Sequence, residues 1–478
     1  MWQPVFMISG YILGILGLVM LIPASIDMSL NQHGWSPFLV GAINSLFFGV
    51  SLFLANYTSF KRINLKQAYL VTAFSWVLVS FFAAVPFYLY RAVPSFVDAF
   101  FESMSGLTGT SATVVTDVEA LPPAVLLWRS LLNCIGGLGI VIFAVALLPF
   151  LGIGGMQIFQ RENSDSNDKF MPKFSYIAKR IVAVYFLLMI VCAAAYVFCG
   201  MGVFDAVNHA MTAIGTGGFS TKNSSIGAFH SFPIEAVTML AMLAGALPMT
   251  YYVLLLRGGD ADKNGQVRAF FKLITVAGIM VSVYLYITSE YALPDSFRYG
   301  YFTVISIVTT AGFSACDYTQ WGVWAVTVIL FLSLCGGCTG STSGSIKILR
   351  WQVVYAFLRK YIISAIEPNR IIPMKIGNMN ISEKVSMSVF VYLFSFVISL
   401  VVFSLAVSLC GYDFSTSFAA VMACITNIGI GAVDVIGPQG NFAFFSPFLK
   451  VLLAFIMFIG RLEVITVMVI FSRSFWRS

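Results

Sequence analysis

Thr309-Thr310-Ala311-Gly312-Phe313-Ser314 is a turn between two apolar runs, and its pattern occurs three more times in the chain. Aligned on the fourth position, the set is Thr108-Gly109-Thr110-Ser111, Gly215-Thr216-Gly217-Gly218, Thr309-Thr310-Ala311-Gly312 and Thr426-Asn427-Ile428-Gly429. The fourth positions lie 107, 94 and 117 residues apart. Each turn follows an apolar segment too short to span a bilayer: 96–107, 204–214, 297–308 and 414–425. Asp98 and Asp205 stand thirteen residues before their fourth positions, and Tyr299 and Thr416 hold the same place in the other two copies. A period of roughly a hundred residues marks a fourfold duplication of spanning helix, short helix, turn and spanning helix.

Around these copies the composition is that of a membrane protein. Of 478 residues, 59% are hydrophobic and only 10% charged, with a mean hydropathy of +0.90; soluble domains carry about a quarter charged residues. Apolar runs of spanning length cover about 4–26, 35–60, 68–90, 122–151, 175–200, 233–256, 270–288, 323–357, 385–409 and 445–471. The first run lacks a basic leader and reads as a retained helix. The expected fold is all-α and integral to the membrane, with about ten spanning helices and four re-entrant pore helices. An N-terminal hairpin (1–66) precedes four parallel repeats, 67–173, 174–268, 269–382 and 383–478, around a pseudo-fourfold pore. Two spans per unit return the chain to its starting side, so all four turns face one way.

Charge sets the direction. Lys61, Arg62, Lys66, Arg161, Lys169, Lys173, Lys179, Arg180, Arg257, Lys263, Arg268, Lys272, Arg350, Arg359, Lys360, Arg370, Lys375, Lys384, Arg473 and Arg477 fall on one side. Asp98, Glu102, Asp117, Glu119, Asp205, Glu290, Asp295, Asp317 and Asp434 fall on the other. The positive-inside rule makes the first side cytoplasmic and the turns external. The basic excess thus reflects topology and not nucleic-acid binding, and the acids near the mouth are placed to concentrate cations or to be solvated.

A cation crossing lipid exchanges its water for protein oxygens, which a ring of backbone carbonyls supplies. Gly reaches the left-handed dihedrals such turns need, Thr hydroxyls add ligands or braces, and the C-terminus of each short helix points partial negative charge at the ion. The candidate ion-binding residues are Thr110, Ser111, Thr216, Gly217, Gly218, Thr310, Ala311, Gly312, Asn427, Ile428 and Gly429. Below them, Gly336-Gly337-Cys338-Thr339-Gly340-Ser341-Thr342-Ser343-Gly344-Ser345 interrupts the third unit's second helix at membrane depth. Such backbone lines a cavity, or else forms a close helix-packing surface, with Lys347 anchoring its cytoplasmic end. Arg461 lies sixteen residues past Phe445, mid-helix, where a charge is costly and by default functional. Glu463 is two residues on and on another face, so it does not pair with Arg461.

These turns resemble the superfamily of bacterial Trk and Ktr and plant and fungal high-affinity potassium transporters, nearest to TrkH-type subunits. The likeness extends to Trp128-Arg129-Ser130 with Gly136-Gly137-Leu138-Gly139, Gly217-Gly218-Phe219-Ser220, Gly336–Thr342 and Gly460-Arg461-Leu462-Glu463, and so covers nearly the whole chain. The resemblance implies potassium as the transported ion, a homodimer with one pore per protomer, and a cytoplasmic nucleotide-binding ring of the TrkA kind. It also implies a gate made of the intramembrane loop (Gly336, Gly337, Gly340, Ser341, Thr342, Gly344, Lys347) and Arg461. Strongly potassium-selective members carry Gly at all four fourth positions. Ser111 departs from that pattern, and the resemblance implies sodium permeability, as is the tendency of plant relatives with Ser there.

The chain itself carries no nucleotide-binding glycine loop and implies no organic cofactor. Two rival functions are a proton- or sodium-coupled symporter, for which Glu463 is the one mid-membrane acid, and an intramembrane enzyme built on Ser105 and His209. Eight scattered cysteines, including the CxxC spacing of Cys335 and Cys338, read as buried free thiols.

Overall fold

In a computed structural model, described for residues 2–30, 34–58, 64–151, 170–256, 258, 262, 265–289, 291–370, 372–377 and 379–477, the chain is a helical assembly with one two-residue hairpin. The basic residues Lys61, Arg62, Arg161, Lys169, Arg257 and Lys263, and the acid Glu290, lie outside the described residues.

An N-terminal pair, α1 (Trp2–Ser29) and α2 (Trp35–Ala55), precedes the repeats. It is welded by small residues: a Cβ on Gly10 would stand 2.7 Å from the Gly49 carbonyl oxygen, and one on Gly49 would stand 2.7 Å from the Gly14 nitrogen. Backbones approach this closely in lipid only where side chains are absent. The hairpin leans on the first repeat through Ser9 Oγ···Ser75 Oγ (2.8 Å) and the edge-on contact of Phe38 with Trp128.

The first unit is α3 (Leu65–Leu89), α4 (Phe96–Thr108) and α5 (Pro123–Leu151). The second is α6 (Phe170–Phe198), α7 (Val203–Ile214), and the pair α8 (Phe232–Ala246) and α9 (Met249–Leu255). The third is α10 (Gln266–Thr288), α11 (Leu293–Val308), α12 (Val323–Leu332) and α13 (Ile348–Ile366). The strands Lys375–Ile376 and Met379–Asn380 follow it as an antiparallel hairpin. The fourth is α14 (Glu383–Ser408), α15 (Phe414–Ile425), α16 (Pro447–Leu462) and α17 (Val464–Phe471), with α18 (Arg473–Arg477) at the end.

Among the described residues, seven helices are long and apolar enough to cross a membrane, and each of two bent pairs adds one more span. The short helices α4, α7, α11 and α15 have 13, 12, 16 and 12 residues. At about 1.5 Å per residue they fall short of a hydrocarbon core of about 30 Å. The last seven residues of each are buried, so their ends are enclosed by the long helices, which carry exposed apolar side chains such as Phe47, Ile190, Ile287 and Phe394. Ser95 and Asp413 start two of them by accepting the backbone N–H three residues on, from Asp98 and Thr416.

The expectation of continuous second helices in the second and fourth units is corrected. α8 and α9 meet at 89°, and α16 and α17 at 108°. Pro248 has no N–H to continue α8, and Glu463 sits at φ +68°, outside helical space. The breaks lie at corresponding places, since Gly136, Gly245 and Gly460 would each press a Cβ within 1.8–2.5 Å of the last-turn carbonyl of their own short helix, at Leu107, Ile214 and Ile425.

Candidate functional site: four turns and the loop beneath them

All four short helices end at the turns, capped by Gly109, Gly215, Thr309 and Thr426. In every turn the second and fourth residues are left-handed, at Gly109 and Ser111, Thr216 and Gly218, Thr310 and Gly312, and Asn427 and Gly429. The N–H of each third residue is tied back to the short helix: Thr110 to Ser105 O, Gly217 to Thr212 O, Ala311 to Ser306 O and Ile428 to Ala423 O, at 2.8–3.1 Å. With N–H groups turned back, the third-residue carbonyls point toward the neighbouring turn.

The turns therefore meet as a ring. A Cβ on Gly218 would lie 1.9 Å from Ala311 O, one on Gly312 2.1 Å from Ile428 O, and one on Gly429 2.0 Å from Thr110 O. Three junctions, second to third, third to fourth and fourth to first, are closed by glycine against carbonyl. At the remaining junction the fourth residue is Ser111, held at φ +59°. Its Oγ accepts a hydrogen bond from Asn133 Nδ2 at 2.9 Å. Ser111, Gly218 and Gly312 are partly accessible while most of their neighbours are buried.

Thr216 and Thr310 are β-branched residues in left-handed space, a strain of about 1–3 kcal/mol each. Their side chains recover it by reaching the intramembrane loop. Thr216 Oγ1 donates to Thr342 Oγ1 (3.0 Å), and Thr310 Oγ1 accepts from the Gly344 N–H (2.7 Å). Asn427 Nδ2 instead donates to Thr110 Oγ1 (2.9 Å) and Met457 O (3.0 Å).

The loop, residues 333–347, fills the space between α12 and α13. Gly336, Gly340, Ser345 and Lys347 take positive φ, and Ser341 Oγ folds the loop onto Cys338 O (2.6 Å) and Ser343 Oγ (2.7 Å). The carbonyls orphaned at the α8–α9 break receive loop donors: Ala246 O the Cys338 N–H (3.0 Å), and Gly245 O the Thr342 hydroxyl (2.9 Å). A Cβ on Gly344 would press within 2.6 Å of Thr426 O, and one on Gly337 within 2.5 Å of Ser343 Oγ. The loop thus lies directly under the second, third and fourth turns. Under the first lies Arg461, whose Nη2 is 3.5 Å from the Cβ position of Gly109. It is 3% exposed, and none of its three nitrogens has a hydrogen-bond partner among the described residues.

Sequence reasoning missed Arg350. Its Nη2 pairs with Glu463 at 2.6 Å and its guanidinium lies 3.9 Å over the Tyr392 ring, tying the start of α13 to the α16–α17 break. Lys347 stands beside it as the buried residue preceding α13. An arginine five residues past the Gly/Ser run was the available signal.

Two of the mouth acids are neither solvated nor free to gather cations. Asp98 pairs with Lys450 at 2.6 Å, and Glu102 with Arg129 at 2.8 Å, all four side chains being buried. Arg129 also donates to Ser220 O (3.1 Å) and stacks on Phe219 at 4.0 Å, joining the first unit to the second. Asp117 lies in the loop between α4 and α5, and the hydrogen bond from Asn223 Nδ2 (2.8 Å) holds its carboxyl below the usual range. Glu235 takes a bidentate contact from Arg298 at 2.6 and 2.7 Å across the second and third units. Glu235→Leu leaves that arginine, 22% exposed, to water. The expected loss is about 1–3 kcal/mol of stability, read as a lowered thermal midpoint in detergent; an unaltered midpoint refutes the tie.

Ser105 and His209 do not meet. Ser105 Oγ donates to Ala112 O (2.6 Å), while the His209 ring nitrogens contact Asp205 O (2.8 Å) and Ser220 Oγ (2.9 Å). All eight cysteines are free. Among the described residues no cluster of His, Cys, Asp or Glu is arranged to hold a metal; the oxygens gathered at the turns belong to backbone, to hydroxyls and, at Asn427, to a side-chain amide.

The family model for TrkH, described as a cation transport protein, matches residues 35–478. The chain belongs to the TrkH family. Within it, the Trk system potassium uptake protein TrkI of Halomonas elongata is 36% identical over 86% of this chain and 84% of its own length. TrkG of Escherichia coli K12, also named a Trk system potassium uptake protein, is 32% identical over 98% of this chain and 97% of its own length. The crystal structure of the potassium transporter TrkH from Vibrio parahaemolyticus superposes with a TM-score of 0.92, at 29% identity and full coverage of both chains. TrkH membership makes the chain a multi-pass membrane protein of a transport family, outside the enzyme reading.

Proposed function

We propose that this TrkH-family chain takes up potassium through a channel-like pore whose selectivity filter is the four-turn ring. One observation carries the reading. Three glycines abut the next turn's carbonyl so closely that a single methyl group closes the gap, while four helix C-termini converge on the same ring. Thr110, Ser111, Thr216, Gly217, Gly218, Thr310, Ala311, Gly312, Asn427, Ile428 and Gly429 line or brace it. The loop bearing Gly336, Gly337, Gly340, Ser341, Thr342 and Gly344, ending at Lys347, is the gate, and Arg461 completes the barrier. The loop's hydrogen bonds with Thr216 and Thr310 support coupling between gate and filter.

For the repeats we propose limits near 67–173, 174–268, 269–382 and 383–478 after the hairpin 1–66, although α3, α6 and α10 begin two to four residues before the first three of these limits, and we place the protein in the bacterial inner membrane with the ring outward. The relatives' names as Trk system proteins support a regulatory partner, for which a nucleotide-binding TrkA-like ring is proposed, with a homodimer as the transporting unit.

Flux of potassium, rubidium and sodium into proteoliposomes tests the pore. Uptake that follows the potassium gradient and ignores imposed pH and sodium gradients is expected; a dependence on either gradient replaces the channel by a coupled symporter. Ser111 makes the ring uneven and admits sodium. Ser111→Gly completes the glycine set and should lower the sodium-to-potassium ratio several-fold, and an unchanged ratio removes Ser111 from the selectivity argument.

A further inference from the structure

We infer that Asn133 is the positioning residue that sets selectivity at the junction between the first and second turns, a role that rests on the filter reading above. The repeat supplies an internal comparison. Counting three residues back from the aligned glycines Gly136, Gly245 and Gly460 gives Asn133, Met242 and Met457. All three side chains are fully buried. Where the second helix carries Met242 or Met457, the same unit's turn ends in Gly218 or Gly429. Where it carries Asn133, the turn ends in Ser111, and the two side chains are bonded at 2.9 Å. Polar partner and polar turn residue change together.

The fit is close on the other side as well. A Cβ on Gly217 would lie 2.2 Å from Asn133 Nδ2, so the amide occupies the room that the second turn's glycine leaves. Asn133 Oδ1 has no hydrogen-bond partner among the described residues. An amide buried with an unmet acceptor is unfavourable, whereas methionine fills the equivalent place without that penalty. What the amide supplies is a donor at the one fourth position of the four turns where a non-glycine residue must be kept left-handed. Asn133 pins the Ser111 hydroxyl to the wall, and the Ser111 backbone keeps its place in the ring.

Releasing the pin loosens one quarter of the ring, and a loosened ring discriminates less against the smaller ion. Asn133→Met should raise the sodium-to-potassium flux ratio about fivefold, the scale of one net hydrogen bond. In the Ser111→Gly background the same substitution should change the ratio less than twofold, because the residue it acts through is gone. Ser111→Ala cuts the bond from the other side, keeps the Cβ, and should match Asn133→Met, which guards against one variant failing to fold. Reconstituted flux with a thermal midpoint for each protein decides it. An equal change in both backgrounds, or an unchanged or lowered ratio in the folded Asn133→Met and Ser111→Ala proteins, overturns the inference. If Ser111→Gly itself leaves the ratio untouched, the filter reading of Ser111 has failed instead.

Discussion

Gly312→Ala abolishes cation uptake, with reconstituted potassium and rubidium flux falling at least about a hundredfold, while the protein remains folded. Two effects coincide at this position. Gly312 sits at φ +73°, where an L-residue costs about 1–2 kcal/mol. The larger effect is steric, since the new methyl carbon would stand 2.1 Å from Ile428 O. That oxygen cannot simply retreat, because the Ile428 N–H is bonded to Ala423 O at 3.1 Å and the short helix behind it is enclosed. The ring must therefore open or the carbonyl must turn away from the ion, and close-packed backbone has little slack for either. Gly139→Ala is the matched control, since a Cβ there meets nothing within 4 Å, and its flux should equal that of the unmodified protein. Gly312→Ala retaining more than about a tenth of the flux contradicts a filter made by these carbonyls.

How far the sequence carried this reading depends on whether a signal was local. The turns and the short helices were legible because each copy repeats a short pattern at a fixed offset, and the N-terminal hairpin because its two apolar runs precede the first copy; the third short helix begins four residues earlier than its apolar run, at Leu293. The break at Pro248 was missed because Gly245-Ala246-Leu247-Pro248 lies in an apolar run whose hydropathy does not fall, although the proline itself was a fair warning. The fates of Asp98 and Glu102 were hidden for another reason. Lys450 is 352 residues from Asp98 and Arg129 is 27 from Glu102, and no local pattern tells a paired buried acid from a solvated one. Asn133 carried no signal until the ring showed that its neighbour was the odd fourth residue.

Arg461→Ala should raise potassium flux by up to about a hundredfold, and it should do so without destabilising the protein. The guanidinium lies under the first turn, buried and unpartnered among the described residues, while the nearby acid Glu463 faces Arg350. At about 5 Å from an ion, a fixed unit charge at an effective dielectric near 20 raises the barrier by about 3 kcal/mol, which sets the upper bound on the rate gain. Truncating one member of a buried ion pair usually strands the other charge; here no partner is stranded, so the thermal midpoint should hold or rise. Arg461→Lys separates charge from bulk. If the charge is the barrier, lysine keeps flux low while alanine raises it. If both variants conduct equally well, Arg461 obstructs by its size alone. Flux unchanged in a folded Arg461→Ala protein leaves the intramembrane loop as the sole barrier, and the hydrogen bonds the loop shares with Thr216 and Thr310 then become the place where opening must begin.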